Sequence, residues 1–219
     1  GSNSYGMRLE IGGSFGDFYG YKFLRDETGN YVTDDQGLPK IDTEDLQKLG
    51  NSTPKWNLGW QNTFTYKGFS LYFLIDGRFG GEVLSLTEAE LDKYGVSKRT
   101  GDARNNGGVD FAGKKVDTQE YYNLVGGRDG ITENYVYSAT NIRLRELSLG
   151  YSLPQKVLTK VPFIKGADIS FIARNLFFFK NNAPYDTDAA LSVGNGLQGV
   201  DAFGMPSTRS FGFNIKFNF

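Results

Sequence analysis

The residue types that most catalytic and metal sites require are missing from this chain. It has no Cys and no His among its 219 residues. A disulfide framework, a thiolate metal site, a catalytic Cys and a Ser-His-Asp triad are therefore excluded. Carboxylates are frequent enough for a glycosidase pair, but no spacing selects one. We expect no catalytic residue, no metal centre, no cofactor and no enzymatic activity.

The charge balance also argues against a nucleic-acid partner. The 24 Lys and Arg residues face 25 Asp and Glu residues, which leaves a net charge of −1. A nucleic-acid surface would need an excess of basic residues. We therefore expect no nucleic-acid partner.

One short segment has part of the ligand spacing of a calcium loop. Asp26, Thr28 and Asn30 follow the i, i+2, i+4 pattern, but Gly37 stands at the twelfth position, where such a loop needs Glu. A hairpin tip is the simpler interpretation, and we predict a hairpin tip here.

Six polar and aromatic residues in long connections are candidates for contact with a substrate or a partner. The tyrosines offer rings for stacking on sugars or for a partner surface, although packing within the loop explains them equally well. The two aspartates could bind a cation or sugar hydroxyl groups; the alternative interpretation is that they belong to a solvated polar loop. The candidates are Tyr121, Tyr122, Tyr135, Tyr137, Asp186 and Asp188.

These residues are positioned by segments in which apolar and polar residues alternate. Every position from Phe211 to Phe219 fits a period of two, which is typical of a strand with one apolar face. The run from Trp56 to Tyr66 repeats the pattern, and the next run follows Lys67-Gly68, which predicts a tight hairpin. The predicted strands number about seven, at 5–11, 18–24, 56–66, 69–75, 142–153, 167–178 and 211–219.

The sequence also predicts a β-bulge and three short helices. The alternation slips at Arg145-Glu146, which predicts a β-bulge. Thr87-x-x-Glu90 resembles a capping box and predicts a helix over 87–94 that ends at Gly95. Asp42–Leu49 before Gly50 is predicted as a short helix, and Pro154 opens a predicted helical cap over PQKVLTKV.

The lengths of the connections are strongly asymmetric. In an up-and-down sheet, the short ones at 12–16, 67–68 and 154–165 lie on one side, and the long ones at about 26–55, 80–139 and 179–207 lie on the other. Outer-membrane barrels have this asymmetry, with short periplasmic turns and long extracellular loops. The sequence therefore predicts an all-β chain of antiparallel, up-and-down transmembrane barrel strands.

Seven strands are too few to close a membrane barrel by themselves. In hydrocarbon every backbone N–H and C=O must be paired, and an open sheet leaves two unpaired edges. We therefore expect a part of a larger barrel, unless 96–140 hides an eighth strand. The opening GSNSYGMRLE lacks the basic and apolar regions of a signal peptide.

Five segments in the predicted strands and connections have a recognisable sequence. They are FYGYKFLRDETGN (18–30), LGNSTPKWNLGWQNTFTYKGFSLYFLIDGRFGG (49–81), NIRLRELSLGYSLP (141–154), IARNLFFF (172–179) and PSTRSFGFNIKFNF (206–219). In this order they resemble the C-terminal part of the SusC/RagA-type TonB-dependent outer-membrane transporters of the Bacteroidetes. The resemblance spans nearly all of residues 1–219.

The resemblance implies a barrel of 22 strands in the Gram-negative outer membrane that imports glycan or peptide nutrients. It also implies a SusD-like surface lipoprotein as a lid over the loops, surrounding outer-membrane lipid, and energy from the TonB complex. The plug domain and the TonB-contacting segment would lie upstream and are absent from this chain. The terminal Phe219 resembles the aromatic signal that the barrel-assembly machinery recognises, although it is also simply the end of a strand.

Two other functions stay open at this point. A soluble or surface-attached carbohydrate-binding β-sandwich would use the aromatic faces as its core and would fold as a soluble monomer. A small complete outer-membrane barrel acting as an adhesin would need the eighth strand.

Overall fold

A computed structural model of the chain describes residues 5–159, 163–189 and 198–219. The described strands, in chain order, are β1 (Tyr5–Met7), β2 (Asp17–Phe23), β3 (Ile41–Asn51), β4 (Trp56–Tyr66), β5 (Phe69–Phe79), β6 (Glu82–Ser85), β7 (Val109–Phe111), β8 (Lys114–Val116), β9 (Val136–Ser138), β10 (Asn141–Ser152), β11 (Gly166–Asn181), β12 (Val200–Asp201) and β13 (Ser210–Asn218). The helices are α1 (Leu86–Lys93), α2 (Lys98–Asn105), α3 (Thr118–Val125) and α4 (Gln155–Leu158), with a 3₁₀ turn at Thr132–Tyr135.

The chain divides into two compact units. The first, here called the loop unit, consists of Gly1–Pro54, Gly80–Ala139 and Thr187–Met205. The second, here called the sheet unit, consists of Lys55–Phe79, Thr140–Asp186 and Pro206–Phe219.

The sheet unit is built from one five-stranded antiparallel sheet. Its strand order is β13-β11-β10-β5-β4. The hairpin between β4 and β5 turns at Lys67 and Gly68, whose φ angles of 47° and 87° are both positive. Two positive φ angles are typical of the type I′ turn, whose twist matches that of the flanking strands. The predicted tight hairpin is confirmed.

The register of this sheet places all of its long connections at one end. Trp56 pairs with Phe79, and Asn141 pairs with both Arg78 and Asn181. The segments that lead into β4, from β5 to β10 and from β11 to β13 therefore leave from the same end. The turn at 67–68 and the segment between β10 and β11, which holds α4, lie at the opposite end. The predicted asymmetry is confirmed for the connections of this sheet. The predicted short connection at 12–16 instead joins β1 and β2 in the loop unit, and the predicted long connection at 26–55 contains the strand β3.

The predicted bulge and the predicted helical cap are also present. The pairing of β10 with both neighbours shifts between Leu144 and Glu146, so Arg145 is the extra residue. Pro154 stands immediately before α4, as predicted. Residues 160 and 161 of the predicted cap and 190–197 of the predicted long loop lie outside the described residues.

The loop unit has its own sheets and its own hydrophobic core. Its sheets have the orders β1-β2-β3, β12-β6-β9 and β7-β8. Side chains from segments far apart in sequence meet in the core, so these connections fold together instead of remaining extended. The most completely buried of these core side chains, each no more than 2% exposed, are Phe18, Leu84, Val125, Ile131, Tyr135 and Val200.

The predicted helix at Asp42–Leu49 is wrong, because this segment lies within strand β3. Lys48 pairs with Tyr19, and Asp42 pairs with Lys22. A helix of eight residues with few apolar side chains is marginal in water, so pairing with β2 determines the structure. The region 5–11 is likewise shorter as a strand than predicted, since β1 ends at Met7, where its pairing with Phe18 of β2 ends.

The first two predicted wall strands also lie outside the five-stranded sheet, in the sheet that β3 completes. Alternation alone predicts that a segment is a strand, but it does not specify which neighbour the strand pairs with. Within the described residues of 96–140, the strands have only three residues each, so the structure has no eighth long strand there.

Helix α1 is present, but its N-cap is Ser85 and not the predicted Thr87. The Ser85 hydroxyl accepts a hydrogen bond from the Glu88 amide at 3.1 Å and donates one to Asp201 at 2.9 Å. Gly95, with φ of 69°, follows the C-terminal end of the helix as predicted.

Asp17 is a buried carboxylate that connects three segments of the loop unit. It accepts hydrogen bonds from Lys48 Nζ at 2.7 Å, from Asn51 Nδ2 at 2.6 Å and from the Ser14 amide at 2.8 Å. Burial by itself would raise the pKa of Asp17, but these hydrogen bonds outweigh burial and lower it from 3.8 to about 2.

We predict that acid weakens the pairing of β2 with β3 through this residue. Because the folded pKa is depressed, the stabilisation is complete above about pH 4 and is lost as the pH falls toward about 2. The protection of the β2 and β3 amides against hydrogen exchange, measured relative to the intrinsic exchange rate at each pH, should fall over that window. An Asp17→Asn variant should exchange faster at neutral pH and lose the acid dependence. An unchanged pH profile in the variant would contradict the assignment.

Candidate functional site

One face of the five-stranded sheet is apolar and exposed. Every strand contributes side chains from alternate positions to this face, and cross-strand pairs such as Phe64 with Leu71 and Ile169 with Ile215 keep it continuous. Trp56 is 69% exposed and Phe213 is 79% exposed. The exposed members of this face are Trp56, Leu58, Trp60, Phe64, Tyr66, Phe69, Leu149, Tyr151, Ile169, Phe177, Phe211, Phe213, Ile215 and Phe217.

Most of the amphipathic aromatic residues lie toward the two ends of this face. Trp56 lies at the end from which the long connections leave, Trp60 lies near the middle of β4, and Tyr66 and Tyr151 lie at the other end. Trp and Tyr are enriched at both membrane–water interfaces, where the ring is buried and the polar group stays wet. At ~3.3 Å per residue and ~45° of tilt, a strand the length of β4 rises roughly 23 Å, which matches the apolar band of an outer-membrane barrel.

The opposite face of the same sheet is polar and carries ion pairs. Arg145 Nε donates to Asp76 at 3.1 Å, and Arg174 Nε donates to Glu146 at 3.0 Å. The bulge at Arg145 matters here because it lets two consecutive residues, Arg145 and Glu146, both reach partners on the polar face. Only the slip in alternation at these residues signals this arrangement in the sequence.

The two edges of the sheet are open in the part of the chain that the structure describes. There β4 pairs only with β5, and β13 pairs only with β11. Each edge therefore leaves a row of backbone donors and acceptors without a strand partner.

Asp186 is held in a buried polar cluster within the sheet unit. Its carboxylate accepts a hydrogen bond from the Ser207 amide at 3.0 Å and another from the Ser207 hydroxyl, and Arg143 Nη1 lies 3.8 Å away. The side chains of Arg143 and Asp186 are 2% and 7% exposed. This candidate carboxylate therefore ties the connection after β11 to the segment before β13, while Asp188 is exposed.

Three of the four candidate tyrosines lie in the core of the loop unit. Tyr121, Tyr122 and Tyr135 are buried, and Tyr137 is half-buried. Burial raises the pKa of all four phenols, so they stay neutral at physiological pH. Their rings pack against protein groups, which leaves little ring surface for stacking on a sugar.

A buried ion pair of Asp92 and Arg99 organises these tyrosines. Asp92 is fully buried; its carboxylate forms an ion pair with Arg99 and accepts a hydrogen bond from Ser97 Oγ at 2.6 Å. The Arg99 guanidinium lies 5.7 Å from the Tyr122 ring and 5.0 Å from the Tyr135 ring. Burial opposes the charge on Arg99, but Asp92 more than compensates and raises the pKa of Arg99. The sequence carries no signal for this pair, because Asp92 and Arg99 belong to different helices.

The segment with calcium-like spacing is a hairpin tip, as predicted. Asp26 Oδ1 accepts hydrogen bonds from the amides of Thr28 and Asn30, each at 2.9 Å, and a bridge joins Arg25 to Tyr31. The hydrogen bonds from Thr28 and Asn30 lower the pKa of Asp26. Among the described residues, no group of three acidic side chains is arranged to hold a metal ion.

The terminal Phe219 follows β13 and is 73% exposed. Its ring is nearly parallel to that of Phe163, with centroids 6.5 Å apart. No helix within the described residues has the length and apolar character needed to cross a bilayer.

Comparison with known proteins identifies relatives for this arrangement of strands and loops. The chain is 28% identical to TonB-dependent receptor P3 of Formosa agariphila, over 95% of the chain and 23% of the receptor. It is 30% identical to TonB-dependent receptor P39 of the same organism, over 86% of the chain and 19% of the receptor. The resemblance to TonB-dependent receptors is confirmed. The chain spans about a fifth to a quarter of these receptors, and no protein-family model matches it.

Solved structures show the same fold at lower sequence similarity. The RagAB peptide importer in its "open-open" state matches 99% of the chain and 24% of the solved chain, with a TM-score of 0.65 and 16% identity. The "closed-closed" state of the same importer matches with a TM-score of 0.56. The fold of this receptor-like chain is therefore all-β, with antiparallel, up-and-down barrel strands and long connections.

We predict that Asp92→Asn destabilises the loop unit by about 2–3 kcal/mol, because it leaves the Arg99 charge without its partner. This cost is smaller than the roughly 3–5 kcal/mol expected for a fully buried pair, because the Arg99 side chain is 34% exposed. The readout is hydrogen exchange in α1, α2 and α3. The matched control is Asp102→Asn, which breaks the exposed Lys98–Asp102 pair on α2 and should cost only about 0.3–0.5 kcal/mol. Equal effects of the two variants would contradict the role of Asp92.

Proposed function

We propose that this chain supplies wall strands and partner-facing loops to an outer-membrane, TonB-dependent importer of glycan or peptide nutrients. The observation that carries the proposal is the five-stranded sheet, whose exposed aromatic face lies opposite a face of ion pairs. An apolar face outside and a polar face inside is the pattern of a membrane barrel whose interior holds water or protein.

The exposed face favours lipid over water as its surroundings. Soluble monomers rarely expose contiguous apolar patches larger than a few hundred Å². This face extends over all five strands, with exposed rings on β4 and β13 at its two margins. In a β-sandwich the same face would be covered by a second sheet, and in the described part of the sheet unit these rings remain exposed.

The open edges favour a place within a larger barrel. A row of unpaired N–H and C=O groups in hydrocarbon costs several kcal/mol per group. Strands from elsewhere in the same protein would pair with β4 and β13 and remove that cost. We propose a 22-stranded barrel in which this chain is the C-terminal part, with the plug domain and the TonB-contacting segment upstream.

The loop unit would then face the outside of the cell. Because the loop unit has a folded core of β-strands and short helices, it can present a defined binding surface to a lid protein. We propose that this lid is a SusD-like surface lipoprotein. RagAB is a peptide importer, and the structural similarity to it supports the peptide alternative for the substrate. The glycan alternative comes from the family resemblance of the sequence. We propose no enzymatic role for the chain and no nucleic-acid partner.

Phe219 would have a role in assembly. It ends a strand whose apolar side chains all lie on one face, and its own ring is exposed. We propose that the barrel-assembly machinery recognises this exposed terminal ring.

Adjacent positions on β10 test the wall proposal. Leu149 lies on the apolar face and Ser148 on the polar face. Because Leu149 lies between the midplane and the interfacial end marked by Tyr151, we predict that Leu149→Arg destabilises the folded protein in lipid vesicles by about 1–2 kcal/mol, while Ser148→Arg costs clearly less. Urea unfolding in vesicles gives these free energies.

The same pair tests the import proposal in cells. Leu149→Arg should lower the amount of assembled protein in the outer membrane and lower uptake of labelled oligosaccharide or peptide in proportion. Ser148→Arg should leave the assembled amount unchanged. Equal tolerance of arginine at both positions would contradict a lipid-facing wall.

A further inference from the structure

A polar cleft lies in the loop unit, between the end of α1, helix α2 and the start of α3. Its volume is about 350 Å³. The side chains that give it its chemical character are Lys93, Tyr94, Arg104, Thr118 and Gln119. All of them belong to the connection between β5 and β10, so the cleft is complete within one compact unit.

The charge of the cleft lining is positive. Among the described residues that line it, Asp92 alone is acidic, and its carboxylate is occupied by Arg99 and Ser97. Within the described residues, neither Lys93 nor Arg104 has a carboxylate within salt-bridge distance, whereas Lys98 on the same helix as Arg104 is paired with Asp102. Two cations are thus available at the cleft.

The positions of the two cations follow from their neighbours. A Cβ atom on Gly95 would stand 3.0 Å from Arg104 Nη1, so the absent side chain at Gly95 leaves room for the guanidinium. Lys93 Nζ lies 5.5 Å from the centre of the Tyr94 ring, and that ring is 71% exposed. The charged groups of Lys93 and Arg104 therefore both lie at the wall of the cleft.

Two neutral polar groups complete the lining. Thr118 is 6% exposed, and its hydroxyl makes no hydrogen bond within the described residues. Gln119 stands beside it and offers an amide that both donates and accepts. A hydroxyl that is accessible at the wall of a polar cleft and has no protein partner can donate to or accept from a ligand.

We propose that this cleft binds a small ligand through an oxyanion group, a carboxylate or a phosphate. Arg104 supplies the planar fork of donors that matches such a group, and Lys93 supplies a second positive charge. Thr118 and Gln119 supply hydrogen bonds to the oxygen atoms or to neighbouring hydroxyl groups. All four residues belong to the loop unit. The proposal that this cleft binds a ligand is therefore independent of the proposed role in import.

Titration calorimetry on the full protein in detergent tests the proposal. The probes are glucuronate for a carboxylate, inorganic phosphate for a phosphate, and glucose as the neutral control. We expect heat of binding from glucuronate or phosphate and none from glucose. Binding of glucuronate alone would assign a carboxylate ligand, and binding of phosphate alone would assign a phosphate ligand.

Two charge-removing variants on α2 form the matched comparison. Arg104→Gln should weaken binding about ten-fold or more, because it removes a charge-assisted pair of hydrogen bonds. Lys98→Gln removes an exposed cation that does not line the cleft and should change the affinity less than about two-fold. Circular dichroism establishes that both variants are folded. The proposal is overturned if neither anion binds, or if the two variants weaken binding equally.

Discussion

The constraint on which the sheet unit depends is that backbone N–H and C=O groups in hydrocarbon must be paired within the protein. Antiparallel pairing across β13, β11, β10, β5 and β4 satisfies these groups everywhere except at the two outer edges. Because side chains alternate along each strand, the same pairing separates the rings on one face from the ion pairs on the other. The apolar face, the charged face and the open edges are therefore consequences of one hydrogen-bonding pattern.

The structure of the long connections depends on the burial of apolar side chains. They are long enough to bury apolar side chains of their own, and the loop unit does so with a core that includes Phe18, Ile131 and Val200. Within that core, the ion pair of Asp92 and Arg99 is placed against tyrosine rings, so the buried charge of Asp92 is compensated at short range. A folded loop unit can present a defined surface to a partner or a ligand, which an extended loop of the same length cannot.

Most of the sheet unit could be predicted from the sequence, because a period of two over nine to eleven residues has one structural interpretation. The hairpin at Lys67-Gly68 and the bulge at Arg145 follow from breaks in that period. The strand β3 could not be predicted, since its residues carry no clear alternation and only pairing with β2 makes it a strand. The burial of Tyr121 and the pairing of Asp92 with Arg99 also depend on contacts between distant segments. The polar cleft between α1, α2 and α3 is likewise formed by residues from separate segments, so no local sequence pattern predicts it.

The most direct test of a lipid-facing wall is the environment of successive side chains along β4 in the protein embedded in vesicles. Spin labels attached to single cysteines at Thr63, Phe64, Thr65 and Tyr66 report collision rates with oxygen, which concentrates in lipid, and with a water-soluble nickel complex. We predict that labels at positions 64 and 66 collide mainly with oxygen and labels at positions 63 and 65 mainly with nickel, with a period of two. Equal access of nickel to all four positions would contradict a sheet with one face toward lipid.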